Sequence, residues 1–245
     1  MLNLDSGKDV PHASTPDDVL DNPAWGTLTG AHAHLAERNG SAARFPDGVA
    51  PFAALADPAD PDGWRDLLGL VGPGRRTTIA GATVIPADWE LLETIDGVQL
   101  VAAALRVERD PAAIRLGLPD VPEMLDLVAR TKPGPFIVRT IEMGHYYGIR
   151  HDGALVAMAG ERMRPPGWTE VSGVCTDPNH RGQGLAARLI RTVAAGIRER
   201  GDTPFLHAAA DNTNAIRLYD SMGFTFRRPM RFLRLRTPVG SGSAG

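Results

Sequence analysis

The chain has 245 residues, 43% of them hydrophobic, and a formal net charge of −3, which is length enough to bury a sizeable core. A single cysteine, Cys175, excludes an internal disulfide, and no apolar run reaches the length of a membrane-spanning helix. The start, Met1 to Val10, lacks the basic-then-apolar layout of an export signal, so a cytoplasmic protein with no membrane partner is expected.

Charge is uneven along the chain: residues 1–60 carry nine acids and three bases, and 181–236 carry eleven arginines and four acids. The arginines are spread along predicted strands and helices and do not form a run. A phosphate-rich ligand accounts for them, and nucleic acid is not an expected partner.

Residues 1–20 are polar and acidic and are expected to be loosely ordered. Asp21-Asn22-Pro23 predicts a helix start, with the helix running through Trp25, Leu28 and His32 to about Glu37. Asp60-Pro61-Asp62 opens a second helix through Trp64, Leu67, Leu68 and Leu70, closed by Gly72-Pro73-Gly74. Thr77–Ala80 and Val98–Val107 read as strands, with a short helix over Trp89–Thr94. This makes 21–110 an N-terminal α/β segment without a recognisable chemical motif. Within it, His32-Ala33-His34 lacks a second ligand cluster, and helical geometry turns residues two apart to different sides. Packing or surface histidines are expected there, with no metal.

Asp110–Pro119 reads as a linker. Asp120 is a candidate N-cap for a helix over Met124–Arg130, with Glu123 three residues on. His145–Arg150 and Ala154–Arg164 are strands around the turn Asp152-Gly153. Tyr146 and Tyr147 alternate across the first of them, one toward an acceptor pocket and one toward the core. A strand over Glu170–Thr176 follows, and from about Gly184 a helix with Leu185, Leu189, Val193 and Ile197 on one face. Phe205–Ala209 is a strand, Asn212–Met222 a helix stopped by Gly223, and Thr225–Arg236 a last strand broken near Pro229. Residues 238–245 form a flexible tail.

The joint after Thr176 carries the chemistry. The first amides of a helix have no intrahelical acceptor, and the helix dipole adds partial positive charge there. In Arg181-Gly182-Gln183-Gly184-Leu185-Ala186, glycine and alanine stand where a bulky side chain would keep an anion off the backbone, so a phosphate or pyrophosphate is the natural guest. The spacing is neither that of a dinucleotide fingerprint nor that of a P-loop, since no lysine follows the glycines. A tight β–α turn that merely needs glycine is the plain alternative.

Arg181, Gly184 and Ala186, following a strand that ends Val174-Cys175-Thr176-Asp177-Pro178, resemble motif A of the GNAT N-acetyltransferases. The stretch from Asn212 through Tyr219 to Phe224 resembles motif B, and Ser172–Thr176 with Arg181–Ala186 is most similar to the FR47-like branch. The resemblance spans about Glu123 to Arg236. It implies a GNAT domain over 115–237: a mixed, mostly antiparallel central sheet flanked by helices, an α/β (α+β) fold. By analogy with two-domain relatives, the N-terminal segment is expected to be a degenerate GNAT-like half.

The resemblance implies acetyl-CoA as co-substrate, with no metal, and a primary amine as acceptor attacking directly in a ternary complex. Cofactor contacts are then expected from Val174, Cys175, Thr176, Arg181, Gly182, Gln183, Gly184, Leu185, Ala186 and Asn212. An amide of Val174 or Cys175 would donate to the thioester oxygen.

The resemblance also implies Glu170, eleven residues before Arg181 at the offset of the catalytic glutamate in one branch of the superfamily, as general base if burial raises its pKa; substrate binding without proton transfer, or an edge-strand charge, is the alternative. Glu161 and His145 stand behind it. The match to motif B implies Tyr219 as the acid for the leaving thiolate, with core packing the alternative, and Asn212 as a cofactor contact that could equally cap its helix. Cys175 reads as a small apolar core residue, not a nucleophile. The acceptor is expected to be a small amine or amino-acid-like molecule, a protein N-terminus or a homodimeric arrangement also being compatible. A non-catalytic acyl-CoA-binding or sensor module is the second reading.

Overall fold

In the computed structural model, which describes residues 18–81 and 84–239, helices start where the turn residues place them. Asn22 accepts from the Trp25 amide at the head of α1 (Pro23–Thr29), and Asp60 from that of Asp62 at the head of α2 (Pro61–Val71). Each helix has proline in its first turn, where the missing N–H costs no hydrogen bond. The expected loose start and flexible tail lie mostly outside the described residues. Within the former, Asp18–Asp21 forms a 3-10 turn.

Among the described residues, eleven strands form one sheet: β1 (Glu37–Asn39), β2 (Ala42–Arg44), β3 (Phe52–Leu55), β4 (Arg76–Ala80), β5 (Glu90–Ala102), β6 (Ile114–Leu116), β7 (Tyr146–His151), β8 (Ala154–Glu161), β9 (Trp168–Thr176), β10 (Thr203–Ala209) and β11 (Phe224–Arg236). Their order is β1-β2-β3-β4-β11-β5-β10-β9-β8-β7-β6. Of these strands only β3–β4 and β9–β10 pair in parallel. Read outward from β11 and β5, each side has a parallel pair followed by antiparallel strands, two (β2, β1) on one side and three (β8, β7, β6) on the other. The N-terminal segment thus has the hairpin–strand–helix–strand sequence of the C-terminal one. The two halves also exchange strands: β5 lies between β10 and β11, and β11 lies against β4.

Alternation along each strand sends neighbouring residues to opposite faces. In the N-terminal half, Ala43, Phe52 and Ala54 pack against Ala24 and Leu28 of α1, whereas Ala42, Ala53 and Leu55 meet Trp64 and Leu67 of α2. In the C-terminal half, Tyr146, Met158 and Cys175 meet Met124 and Leu127 of α3 (Val121–Thr131). Tyr147, Ala157 and Val171 meet Leu189, Val193 and Ile197 of α4 (Leu185–Glu199). Both tyrosines therefore face packed cores, Tyr146 on the α3 side and Tyr147 on the α4 side. The last helix, α5 (Thr213–Met222), ends at Gly223 in the left-handed region, φ 96°.

Several boundaries differ from the sequence reading. The first helix stops at Thr29, because a Cβ at Gly30 would lie 2.6 Å from the Gly26 carbonyl oxygen and the chain turns away there; Ala33–Leu35 is a separate 3-10 turn. Trp89–Thr94 is not a helix. Glu90 and Glu93 pair across strands with Arg236 and Arg234, and tertiary pairing overrides a helical pattern. Strand β5 accordingly begins at Glu90 and ends at Ala102. The expected linker contains β6, and Asp120 accepts from the Gly117 amide and does not cap α3. In β11 the irregularity is a bulge at Arg227, between Phe226 and Arg228, and Pro229 stays in the ladder opposite Val98. At the β7–β8 turn Asp152 and Gly153 both have positive φ, 49° and 82°, as a two-residue hairpin requires.

Candidate active site

Strands β9 and β10 pair only from Trp168–Thr203 to Glu170–Phe205. Beyond that step β9 continues to Thr176 alongside β8, and β10 continues to Ala209 alongside β5. The two strands part, and a fork opens in the middle of the sheet. On its β9 edge a bulge sets Gly173 and Val174 opposite the single residue Ala159, between the pairs Gly160–Ser172 and Met158–Cys175. Gly173 takes φ 63° there. A bulge leaves main-chain groups outside the ladder, and Ser172, Gly173 and Val174 are all half-buried on the fork.

At the end of β9 the chain turns through Asp177–His180 and Arg181 into α4. Gly182 and Gly184 adopt φ 76° and 72°, and a Cβ on either would meet nothing within 4 Å. Gly184 is the N-cap and provides no side-chain cap; the first intrahelical bond is from the Arg188 amide to the Gly184 carbonyl. The preceding amides are thus left for a ligand, and the space in front of them is clear. Thr176 adds a buried hydroxyl oxygen without a partner among the described residues. These features suit an oxygen-rich anion such as the pyrophosphate of coenzyme A. Gln183 and Arg181 are exposed beside them, Leu185 is buried, and Ala186 is half-buried on the first turn.

Glu170 stands at the crotch of the fork and is completely buried. Arg162 binds it in a two-pronged pair, Nε to Oε2 at 2.9 Å and Nη2 to Oε1 at 2.7 Å, and the Met163 amide donates to Oε2 at 3.2 Å. His207 Nδ1 lies 2.8 Å from Oε1, and its Nε2 lies 3.1 Å from the Gln99 amide nitrogen. That amide also donates to the Leu20 carbonyl, while Gln99 Oε1 accepts from Arg227. These partners assign the histidine tautomer: Nδ1–H donates to Glu170, and Nε2 accepts from Gln99. Burial alone would raise the Glu170 pKa, but Arg162 and His207 outweigh it and hold the carboxyl far below the usual range. The upward shift that a base at Glu170 requires is the reverse of what its surroundings impose.

Arg162, His207 and Gln99 were not singled out in the sequence. A faint signal existed: Gln99 and His207 are lone polar residues in the apolar strands Val98–Ala102 and Phe205–Ala208. Glu161 is buried too and is bound by Arg200 at 2.7 Å and by the His145 amide. Arg200 caps the far end of α4, about 24 Å from Gly184 by helical rise, so Glu161 and His145 form a separate cluster. Burial lowers the His145 pKa, with Glu161 opposing.

Tyr219 lies 8% exposed in the core beneath α4, edge-on to Phe224, and burial pushes its phenol up to about 12. Asn212 accepts from the Ala215 amide at 3.1 Å and so caps α5. Cys175 is buried against α3, and burial raises its thiol to about 11. His32, packed edge-on to Phe45, is held at about 4, by burial first and His34 second. Among the described residues no group of three or more His, Cys, Asp or Glu side chains could hold a metal ion, and no helix is long and apolar enough to cross a membrane.

A sheet split between two parallel strands, with an uncapped glycine-led helix at its mouth, defines an acyl-CoA acyltransferase fold. Residues 146–233 match the family model described as FR47-like protein. A crystal structure described as a GNAT-family acetyltransferase from Novosphingobium aromaticivorans DSM 12444 is 40% identical, with 90% of this chain and 99% of that one aligned at a TM-score of 0.82. The N-alpha-acetyltransferase RimI of Mycobacterium tuberculosis is 39% identical over 83 residues, 33% of this chain and 51% of that protein. The mycothiol acetyltransferase of Thermobispora bispora is 46% identical over 57 residues, 23% of this chain and 19% of that protein. The matches therefore span about half or less of these two curated relatives. The chain belongs to the GNAT family of acetyltransferases.

Proposed function

We propose that the protein transfers an acetyl group from acetyl-CoA to a primary amine by direct attack in a ternary complex. The observation that carries this reading is the continuity of the fork with the open amides at Gly182–Ala186. A long thioester with a pyrophosphate at one end fits such a path. Acetyl-CoA supplies the activated acyl group. The chain's contribution is to bind and orient it through Val174, Cys175 and Thr176 along the β9 edge, and through Arg181, Gly182, Gln183, Gly184, Leu185 and Ala186 at the helix start. Asn212 contributes by fixing the start of α5, which carries Tyr219.

Tyr219 is the proposed proton donor to the departing thiolate. Its phenol has no hydrogen-bond partner among the described residues, and a neutral phenol with a pKa near 12 holds its proton until a thiolate demands it. Glu170 is proposed to act from its ion pair: it ties Arg162 and the diverging strand β10, through His207, to the crotch of the fork. Because that carboxylate is already committed, the amine enters neutral, having lost its proton to water. The rate then rises with pH toward the amine's own pKa and does not level off near neutrality. A plateau well below the pKa of the amine would point to a resident base instead.

The acceptor is proposed to be a small amine or amino-acid-like molecule, with a protein N-terminus, as the name of the RimI relative indicates for that protein, as the other class. The sequestration of Glu170 favours one further reading, an acyl-CoA-binding sensor without turnover. Release of free thiol from acetyl-CoA across a panel of amines decides between them. Acceptor-dependent release supports the transferase, and saturable acetyl-CoA binding with no release from any amine class supports the sensor.

A further inference from the structure

A second cavity, of about 320 Å³, lies in the N-terminal half. Its floor is a row of side chains on one face of three neighbouring strands. Thr78 of β4 stands beside Phe52 of β3 and opposite Arg234 of β11. Arg76, two residues before Thr78, shares that face. Arg44 of β2 and Asp47 of the β2–β3 loop form the wall.

The charges are unbalanced toward cation. Arg44 is neutralised by Glu37 at 2.7 Å and Asp47 at 3.2 Å, and Arg234 pairs with Glu93. Arg76 is exposed and has no acidic partner among the described residues. Thr78 is only 7% exposed; its hydroxyl makes no hydrogen bond among those residues and is accessible from the cavity it lines. An open guanidinium beside it, with the Phe52 ring as an apolar neighbour, forms a receptor for a head group with charged oxygens and a flat apolar body.

We propose that this cavity is a binding site for a small organic anion, a carboxylate or phosphate monoester carried on an apolar body. Arg76 and Thr78 hold the oxygens, and Phe52 contacts the body. None of its lining residues belongs to β9, β10 or α4, although the Phe52 ring also carries the guanidinium of Arg162 at 4.9 Å and so adjoins the crotch of the fork; the proposal stands whether or not the fork turns over.

Calorimetric titration of the full chain with benzoate and with phenyl phosphate tests it, using inorganic phosphate and benzyl alcohol as half-ligands. One aromatic anion should bind saturably, and the stronger of the two identifies the head group. Inorganic phosphate and benzyl alcohol should each bind at least about tenfold more weakly. Arg76→Gln should weaken binding about tenfold or more, the worth of a charge-assisted hydrogen bond. Thr78→Val, which keeps the shape and removes the hydroxyl, should weaken it severalfold. An acetyl-CoA titration, unchanged in both variants, establishes that they are folded. Absence of saturable binding by either aromatic anion overturns the proposal. So does equal binding by benzyl alcohol, or unchanged affinity in Arg76→Gln.

Discussion

Two parallel strand pairs sit in this sheet, β3 with β4 and β9 with β10, each joined by a helix. After β9 the joint is Arg181-Gly182-Gln183-Gly184, and the N-cap of α4 brings no side chain to the helix amides. After β3 it is Asp57-Pro58-Ala59-Asp60. There Asp57 accepts from the Ala59 amide and Asp60 from that of Asp62. Asp177, upstream of Arg181, likewise accepts from the Asn179 amide, but the amides at the head of α4 receive no side-chain cap, whereas Asp60 fills one at the head of α2. The same frame can therefore cradle an anion or repel one, and the difference rests on a few turn residues. Only the C-terminal joint keeps open the helix amides to which the pyrophosphate contact is proposed.

The largest expected effect of any single change lies at the crotch of the C-terminal fork. Glu170→Gln leaves Arg162 buried without its counter-charge and should cost about 3–5 kcal/mol of stability, measured by urea unfolding. The pair also predicts an acid dependence. Glu170 has a folded pKa below its ordinary 4.5, so its contribution is present above that pH and is lost as pH falls below it. In Glu170→Gln this part of the acid slope should vanish; an unchanged slope would assign it elsewhere.

Tyr219→Phe removes a hydroxyl that has no protein partner among the described residues, so stability should change by less than about 0.5 kcal/mol. Acceptor-dependent thiol release should fall by about 10²-fold, the scale of general acid catalysis, with acetyl-CoA affinity little changed. Equal loss of binding and turnover would make Tyr219 a packing residue. The smallest effect should come from Asp60→Ala. Loss of the α2 cap costs about 1 kcal/mol and leaves acetyl-CoA affinity as it was, since that joint takes no part in binding.

The C-terminal half was legible because its signals are local. Gly184, the periodicity of Leu185 to Ile197, the Asp152-Gly153 turn and the Asn212 cap each depend on neighbours within a few residues. What the sequence hid was long-range. Trp89–Thr94 looks helical until Arg234 and Arg236 pair with its glutamates from more than about 140 residues away. Strand β5 enters the C-terminal half by a strand exchange that no local pattern announces. Glu170 was found by position, but its partners Arg162, His207 and Gln99 come from three different strands or strand ends. The sign of its pKa shift depended on them: burial without partners raises a carboxyl, and burial against a guanidinium lowers it.

The most direct test is a calorimetric titration of acetyl-CoA into the wild-type chain and into Gly184→Asp. That substitution gives the β9–α4 joint the chemistry of the β3–α2 joint, in a left-handed conformation that aspartate tolerates better than most residues. Micromolar binding by the wild type and a loss of about 10²-fold or more in Gly184→Asp, with thermal stability changed by no more than about 1 kcal/mol, is the predicted result. Equal affinity in the two proteins, or no binding by the wild type, would contradict the assignment of these amides to coenzyme A.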